Sequence, residues 1–275
     1  MQDWRALNLA NWEERTAIHL GPNGYDRSWH RAGKGRLDAI VEAELGPVAG
    51  LRILHLQCHM GDDSVALAQR GAAQVLGVDF FASAIAAARA LATDVGATQA
   101  QFIETDIDAL PGLLPDQAGS FDLVFVTWGT IWWLPDLRRW AGVIAHFLRP
   151  GGALYFADAH PTALVFDDAV PGTNPHLPGP LVPYFERKAR LFDSPDDYTD
   201  TAAKIANSRT VTWLHPLGDI LGALGDAGLR LAWLHEHPAV TWQMFRALVR
   251  GPDRLWTWPA EAWLPLSVSL RAERV

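Results

Sequence analysis

The chain has 275 residues, of which 49% are apolar and 20% charged, with a formal net charge of -8. This is the make-up of an ordinary globular protein, and no run of Lys or Arg interleaves with aromatics to neutralise phosphates, so nucleic acid is excluded as a partner. No apolar run reaches the roughly 20 residues that cross a bilayer, no signal peptide is seen, and Cys58 is the only cysteine, so the expectation is a cytoplasmic chain with no membrane partner and no internal disulfide.

In chain order, residues 1–46 are expected to form a helical lid, with Leu37–Leu45 a helix stopped by Gly46-Pro47. From Leu51 short apolar strands alternate with helices. Leu51–Gln57, Val75–Asp79, Gln101–Thr105, Phe121–Thr127 and Ala153–Ala157 are the expected strands. Ser64–Arg70, the alanine-rich Ser83–Leu91 and Asp136–Leu148 are the helices between them. FDLVFVT is nearly all apolar, as a strand buried on both faces should be. Such alternation implies βαβ units and a parallel sheet covered on both sides. Residues 47–160 thus form the core of a single domain. Residues 161–212, with seven prolines, are expected to be a cap insertion. Residues 213–275 complete the sheet through Leu217–Ala227 (helix), Leu229–Glu236 (strand) and Leu266–Ala272 (strand), interrupted by a Trp-rich insertion over 237–265. The 13 Trp cluster at the start, the middle and the end of the chain. Large core residues explain many of them, and clusters in loop-like segments suit a lined pocket.

Ligands of open parallel sheets bind beyond the carboxyl ends of the strands. The candidate residues are therefore Gln57–Asp63, Asp79-Phe80, Asp106-Ile107, Thr127–Trp133 and Asp158–His160. Asp79 suits a ribose diol, whose two hydroxyls its carboxylate accepts, with a helix-capping role as the alternative. Asp106 suits an adenine amino group with Ile107 packed on the ring, or it is an ordinary solvated acid beside Glu104 and Asp108. The first turn, in ILHLQCHMGDDS, lacks the G-x-G-x-x-G that lets a backbone approach a pyrophosphate. That favours a nucleoside cofactor without phosphates, and leaves a nicotinamide-dependent oxidoreductase as a weak rival.

The order Ile53–Gly61, Val78-Asp79-Phe80, Thr105-Asp106, FDLVFVTWGT and LRPGG resembles the class I S-adenosylmethionine-dependent methyltransferases. The form LHLQCHMGDDS is similar to a bacterial branch of them, over roughly residues 10–275. The resemblance implies an α/β, doubly wound, Rossmann-like sheet of seven strands in order 3-2-1-4-5-7-6, the seventh antiparallel and supplied by LSVSLRA. It implies S-adenosylmethionine as cofactor and S-adenosylhomocysteine as product. Gln57, Cys58, His59 and Gly61 would border the methionine tail, with Gly61 making the close approach. Asp79 and Phe80 would lie at the ribose, Asp106 and Ile107 at the adenine, and Thr127 and Trp128 below the sulfonium. His55 stands where the general motif has an acid that meets the cofactor's ammonium. Gln57 and His59 replace glycines, so the turn is expected to avoid positive φ there. Phe81 replaces a capping Ser, a role Ser83 can assume.

Methyl transfer requires alignment, exclusion of water and, for some acceptors, removal of a proton. His160, just past the fifth strand, is the candidate base. Its alternative role is to fix the turn before Pro161. Tyr25, Trp29, Trp132, Trp133 and His160 are the expected acceptor pocket, with His19 and His30 within reach if the lid folds over. The acceptor is expected to be an O or N atom of a small molecule or peptide. A module that binds the cofactor without transferring its methyl group is the alternative. No metal-ligand spacing stands out.

Overall fold

The computed structural model describes residues 3–172, 177–200 and 202–275. Residues 1–2 of the lid and 173–176 and 201 of the cap lie outside that range. The N-terminal segment holds helices α1 (Trp4–His19), α2 (Ser28–Arg31) and α3 (Ala39–Glu44). The alternating core follows as β1 (Arg52–Leu56), α4 (Asp62–Gln69), β2 (Gln74–Asp79), α5 (Ala82–Asp94) and β3 (Ala100–Glu104). It continues through the one-turn α6 (Leu110–Leu113), β4 (Phe121–Thr127), α7 (Leu137–Phe147) and β5 (Leu148–Ala159). The cap carries two hairpin-like pairs, β6 (Phe166–Pro171) with β7 (Pro178–Pro180) and β8 (Arg190–Asp193) with β9 (Arg209–Thr212). Helix α8 (Leu217–Asp226) and β10 (Leu229–His237) return to the core. The Trp-rich insertion then forms β11 (Ala239–Val240), β12 (Val249–Arg250) and β13 (Trp256–Thr257), and β14 (Ser267–Arg274) ends the chain.

The main sheet runs β10-β14-β5-β4-β1-β2-β3, the expected order. β14 is antiparallel to both β5 and β10, and the remaining pairs are parallel. β4 is central and buried along most of its length, which is why FDLVFVT carries no alternation. One face packs on α7 and α8 through Trp140, Phe147, Phe156 and Leu224. The other packs on α3, α4 and α5 through Val41, Val65, Ile85 and Phe125. Ala84, Ala87 and Ala88 are buried on α5, and their small side chains let that helix sit close to the sheet. Among the described residues no helix is long and apolar enough to cross a membrane.

Two local expectations need correction. The Leu37–Leu45 helix is shortened at its start because Asp38 caps it, accepting from the N–H of Ile40 at 2.9 Å and of Val41 at 3.2 Å. Ser83 does not cap α5. Its N–H donates instead to Glu13 of α1 at 3.2 Å, and its hydroxyl donates to Thr16 at 2.9 Å. The Trp-rich insertion carries a three-stranded sheet, and its core of Val240, Phe245, Leu248, Trp258 and Leu264 is shared with Ala163 and Phe166 of the cap.

Candidate functional site

The strand tips converge at the carboxyl end of the sheet, around the turn from β1 to α4. In that turn φ is +55° at Gln57, +51° at His59 and +75° at Gly61. This overturns the expectation that Gln57 and His59 avoid positive φ. The turn keeps the backbone of a glycine-rich loop while carrying two large side chains, at a cost of roughly 1–2 kcal/mol for each. Ladder-like bonds hold it: Cys58 N–H donates to Val78 O at 2.9 Å and His59 N–H to the Asp79 carboxylate at 2.7 Å. A Cβ at Gly61 would meet Ala88 at 2.6 Å and the Phe102 ring at 2.7 Å. Glycine at this position therefore serves the packing of the turn on α5 and β3. Cys58 is buried, with its thiol pushed up by that burial, and it fills space beside Gly77.

Asp79 ends β2 as expected, buried beneath the turn. Its two oxygens accept from His59 N–H and Phe80 N–H, each at 2.7 Å. Burial raises its pKa to about 7 against the pull of those donors. A carboxylate oxygen has more than one acceptor direction, so both oxygens retain capacity for a diol. His55 is neutral, with burial lowering its pKa to about 3. Its Nδ1 pairs with the Ser64 hydroxyl at 2.7 Å and its ring meets Phe125 edge-on. Asp106 caps the turn that follows β3 and accepts from Arg5 Nε at 2.6 Å. Ile107 is buried in the core against α7 and β4. Phe80 packs edge-on against Phe81, beside Met60 and Trp12.

At the tip of β4 the Thr127 hydroxyl donates to Asp63 at 3.1 Å, and Trp128 Nε1 donates to Asp38 at 2.7 Å. Trp128 therefore leans toward α3, and it meets Trp242 of the C-terminal insertion. Gln57 Nε2 donates to Thr130 O at 2.9 Å, while its Oε1 is buried with no partner. Asp158 organises this loop by accepting from the N–H groups of Gly129, Thr130 and Ala159 at 2.6–2.8 Å.

The N-terminal segment does fold over the tips. Trp12 of α1 stacks on Phe81 and meets His59 and Trp133 edge-on at 5.4 and 5.5 Å. His19 Nδ1 lies 3.4 Å from His59 Nε2, and His19 Nε2 lies 3.0 Å from Asp197 in the cap. Asp197 also takes Arg15 at 2.7 Å and the Thr199 hydroxyl at 2.6 Å. Burial pushes its carboxyl up, but the hydrogen bonds from His19 and Thr199 hold it well below the usual range. With Asp197 ionised, His19 Nε2 donates to it, and Nδ1 faces His59. Burial and neighbouring His19 keep His59 neutral, with a pKa near about 3. Tyr25 joins this group, packed on His19 and His59 and bonded to the Tyr198 hydroxyl at 2.6 Å.

Two candidates fall outside the crevice or its chemistry. Trp29 stays at the surface, 40% exposed, with Arg36 over its ring. His160 is buried at the end of β5, where its Nδ1 accepts from Thr162 N–H at 3.1 Å. Its proton therefore sits on Nε2, which is 2.9 Å from Glu236 but out of line for a hydrogen bond. No free lone pair is left for a substrate, so the ring fixes the turn before Pro161 rather than serving as a base. His30 is buried on α2 at 3.6 Å from Asp62, while Trp132 and Trp133 line the β4 side, with Trp132 Nε1 buried and unpaired. Sequence reasoning did not single out Arg5, Trp12 or Asp197, and it held Asp63 only as one of the Gln57–Asp63 candidates. Asp197 carries no local signal, because its partner His19 lies 178 residues away.

The residues present fit a phosphate-free nucleoside with an amino-acid tail. The turn has glycine-like dihedrals, Asp79 stands at the end of β2, and Gln57 Oε1 is an unpaired acceptor in the turn. Comparison with known proteins agrees. Residues 53–152 match the family described as "Methyltransferase domain". A ubiquinone biosynthesis O-methyltransferase of Xylella fastidiosa is 29% identical over 171 residues, 62% of this chain and 66% of that protein. Its counterpart in Leptothrix cholodnii is 29% identical over 157 residues, 57% of this chain and 64% of that protein. Each match thus spans just under two thirds of the relative's length. Among solved structures, an S-adenosylmethionine-dependent methyltransferase from Mesorhizobium loti superposes with a TM-score of 0.58 at 24% identity, covering 86% of this chain and 96% of that one. The magnesium protoporphyrin IX methyltransferase of Synechocystis, solved with S-adenosylmethionine bound, gives 0.55 at 16% identity, covering 100% and 99%. Residues 53–152 thus resemble a methyltransferase domain, and the chain has the fold of solved S-adenosylmethionine-dependent methyltransferases.

Proposed function

We propose that this chain transfers the methyl group of S-adenosylmethionine to an oxygen or nitrogen atom of a small molecule or peptide. The observation that carries the reading is the β1–α4 turn, glycine-like in φ at three positions and bonded to the Asp79 carboxylate at the end of β2. The O-methyltransferase names of the relatives favour oxygen. When bound, the cofactor supplies a methyl group already activated by a sulfonium.

The chain's own contribution is binding, orientation and exclusion of water. Asp79 accepts the ribose hydroxyls through the acceptor directions its backbone donors leave unused. Asp106 accepts the adenine amino group, with Arg5 closing over it. Gln57, Cys58, His59 and Gly61 border the methionine tail. Thr127 and Trp128 form the wall on the β4 side, where aromatic faces also favour a cation by roughly 0.5–2 kcal/mol. Trp12, Tyr25, Trp132 and Trp133 shut out water beneath α1 and the cap, which would raise effective molarity at the reacting atoms.

The test is incubation of the full chain with S-adenosylmethionine and a panel of phenols, amines and carboxylic acids. Release of S-adenosylhomocysteine that depends on one acceptor class supports transfer. Cofactor binding with no acceptor-dependent release across the panel would instead support the binding module.

A further inference from the structure

We infer that Asp63 on the first turn of α4 takes the protonated α-amino group of the cofactor's methionine tail, the role left open by His55. The inference rests on the cofactor reading above and gives a role to a motif residue that the resemblance left without one.

His55 stands where an acid is expected, yet it is a buried neutral imidazole committed to the Ser64 hydroxyl at 2.7 Å. Being neutral, it brings no negative charge to a cation. Asp63 is the residue before Ser64, so the same helical turn that occupies His55 also presents a carboxylate beside it. The Asp63 carboxylate accepts from Thr127 Oγ1 at 3.1 Å. It therefore spans the gap between the β1 turn and the β4 tip.

The other acids at the strand tips are already served. Asp62 has Arg27 at 2.7 Å, Asp106 has Arg5 at 2.6 Å, and Asp197 has Arg15 and His19. Asp79 and Asp158 each hold backbone N–H groups at 2.6–2.8 Å. Asp38 holds two backbone N–H groups and the Trp128 indole. Among the described residues, the Asp63 carboxylate accepts that single hydrogen bond, from a neutral hydroxyl, and makes no ion pair. Burial and the neighbouring carboxylates of Asp38 and Asp62 drive its pKa up to about 7. A carboxylate so placed lacks a cation.

A second, independent observation is an acceptor without a donor in the turn that precedes α4. Gln57 Oε1 is buried and unpaired in the turn, while its amide nitrogen is tied to Thr130 O at the β4 tip. An ammonium has three N–H donors and no acceptor. It can satisfy a carboxylate and an amide oxygen together, which a hydroxyl or a second carboxylate cannot.

Calorimetric titration of the full chain separates the possibilities, using S-adenosylhomocysteine and 5′-methylthioadenosine, which keeps the nucleoside and sulfur but has no amino-acid tail. Asp63→Asn is expected to weaken S-adenosylhomocysteine about ten-fold or more, the scale of one charge-assisted hydrogen bond. Its affinity for methylthioadenosine should stay within about two-fold of the parent's, which also shows that the variant is folded. Should Asp63→Asn fail to fold, Asp63→Ser keeps a partner for the Thr127 hydroxyl and carries the same comparison. Unchanged affinity for S-adenosylhomocysteine, or an equal loss for both ligands, overturns the inference. Failure of the parent chain to bind either ligand overturns the cofactor reading itself.

Discussion

At the scale of single residues, the buried acids and imidazoles tie stability to pH in opposite directions. Asp63 is raised in the folded state, so its ionisation works against folding above the unfolded carboxylate pKa, and the penalty is complete once pH passes about 7. Asp63→Asn should therefore stabilise the ligand-free chain by about 1 kcal/mol at pH 8, with the gain fading by pH 4. Thermal unfolding at the two pH values checks this, and a gain in stability paired with a loss of cofactor affinity is the mark of a residue kept for function. Asp197 has the reverse sign. Its depressed pKa adds stability that is present above the unfolded carboxylate range and lost as pH falls through it. Asp197→Asn should cost roughly 3 kcal/mol at neutral pH, since it strands Arg15 and His19 in a buried setting. His59→Gly removes left-handed strain of roughly 1 kcal/mol but also the contacts to Trp12, Tyr25 and His19. It is expected to leave the melting temperature nearly unchanged while weakening S-adenosylhomocysteine, as read by calorimetry. The sequence showed these positions to be unusual but misjudged their backbone. Residue type argues against positive φ at Gln57 and His59, and only the surrounding bonds to Val78 and Asp79 reveal why the turn keeps it.

At the scale of elements, α1 and the β8–β9 pair form one lid. Asn8 is fully enclosed and mimics a strand partner, donating to Val211 O at 2.9 Å and accepting from Val211 N–H at 2.8 Å. Asn11 donates to Asn207 O at 2.7 Å, and Glu14 accepts from the N–H groups of Ala206 and Asn207. Asn8→Ala leaves both Val211 groups unpaired, which should cost about 2 kcal/mol. Native-state hydrogen exchange should then speed up in α1 and in residues 209–212 together, with the central strands unaffected. Separate responses of the two segments would show that they are not one unit. The alternating strands of the core could be read from pattern alone, because burial on both faces leaves continuous apolar runs such as FDLVFVT. The strands of the cap and of the Trp-rich insertion could not. They are two to six residues long, and their pairing depends on partners distant in sequence. Likewise His160 looked like a base from its place after a strand, while its real constraint is the bond from Thr162 two residues on.

At the scale of the whole molecule, the last strand in sequence lies inside the sheet. β14 joins β5 to β10 and contributes Val268, Leu270 and Ala272 to the main core. A chain ending at residue 265 would expose the edges of two strands and open that core. It is expected to lose the cooperative thermal transition that the full chain shows, which circular dichroism would read. The same architecture brings the tips of β1 to β4 beneath α1 and the cap, so that the candidate cofactor residues come from four separate stretches of sequence and the rings of α1 that cover them from a fifth. The order of the core strands and the identity of Asp79 as the acid of β2 were legible beforehand. The rings above them were not, since Trp12 and His19 meet His59 only through the fold. The central claim is that this crevice holds S-adenosylmethionine. Calorimetric titration of the full chain with S-adenosylmethionine, beside NADH as the phosphate-bearing rival, tests it most directly. Saturable binding of S-adenosylmethionine at one site per chain with no heat from NADH is the predicted result, and binding of NADH in place of S-adenosylmethionine, or of neither, would contradict it.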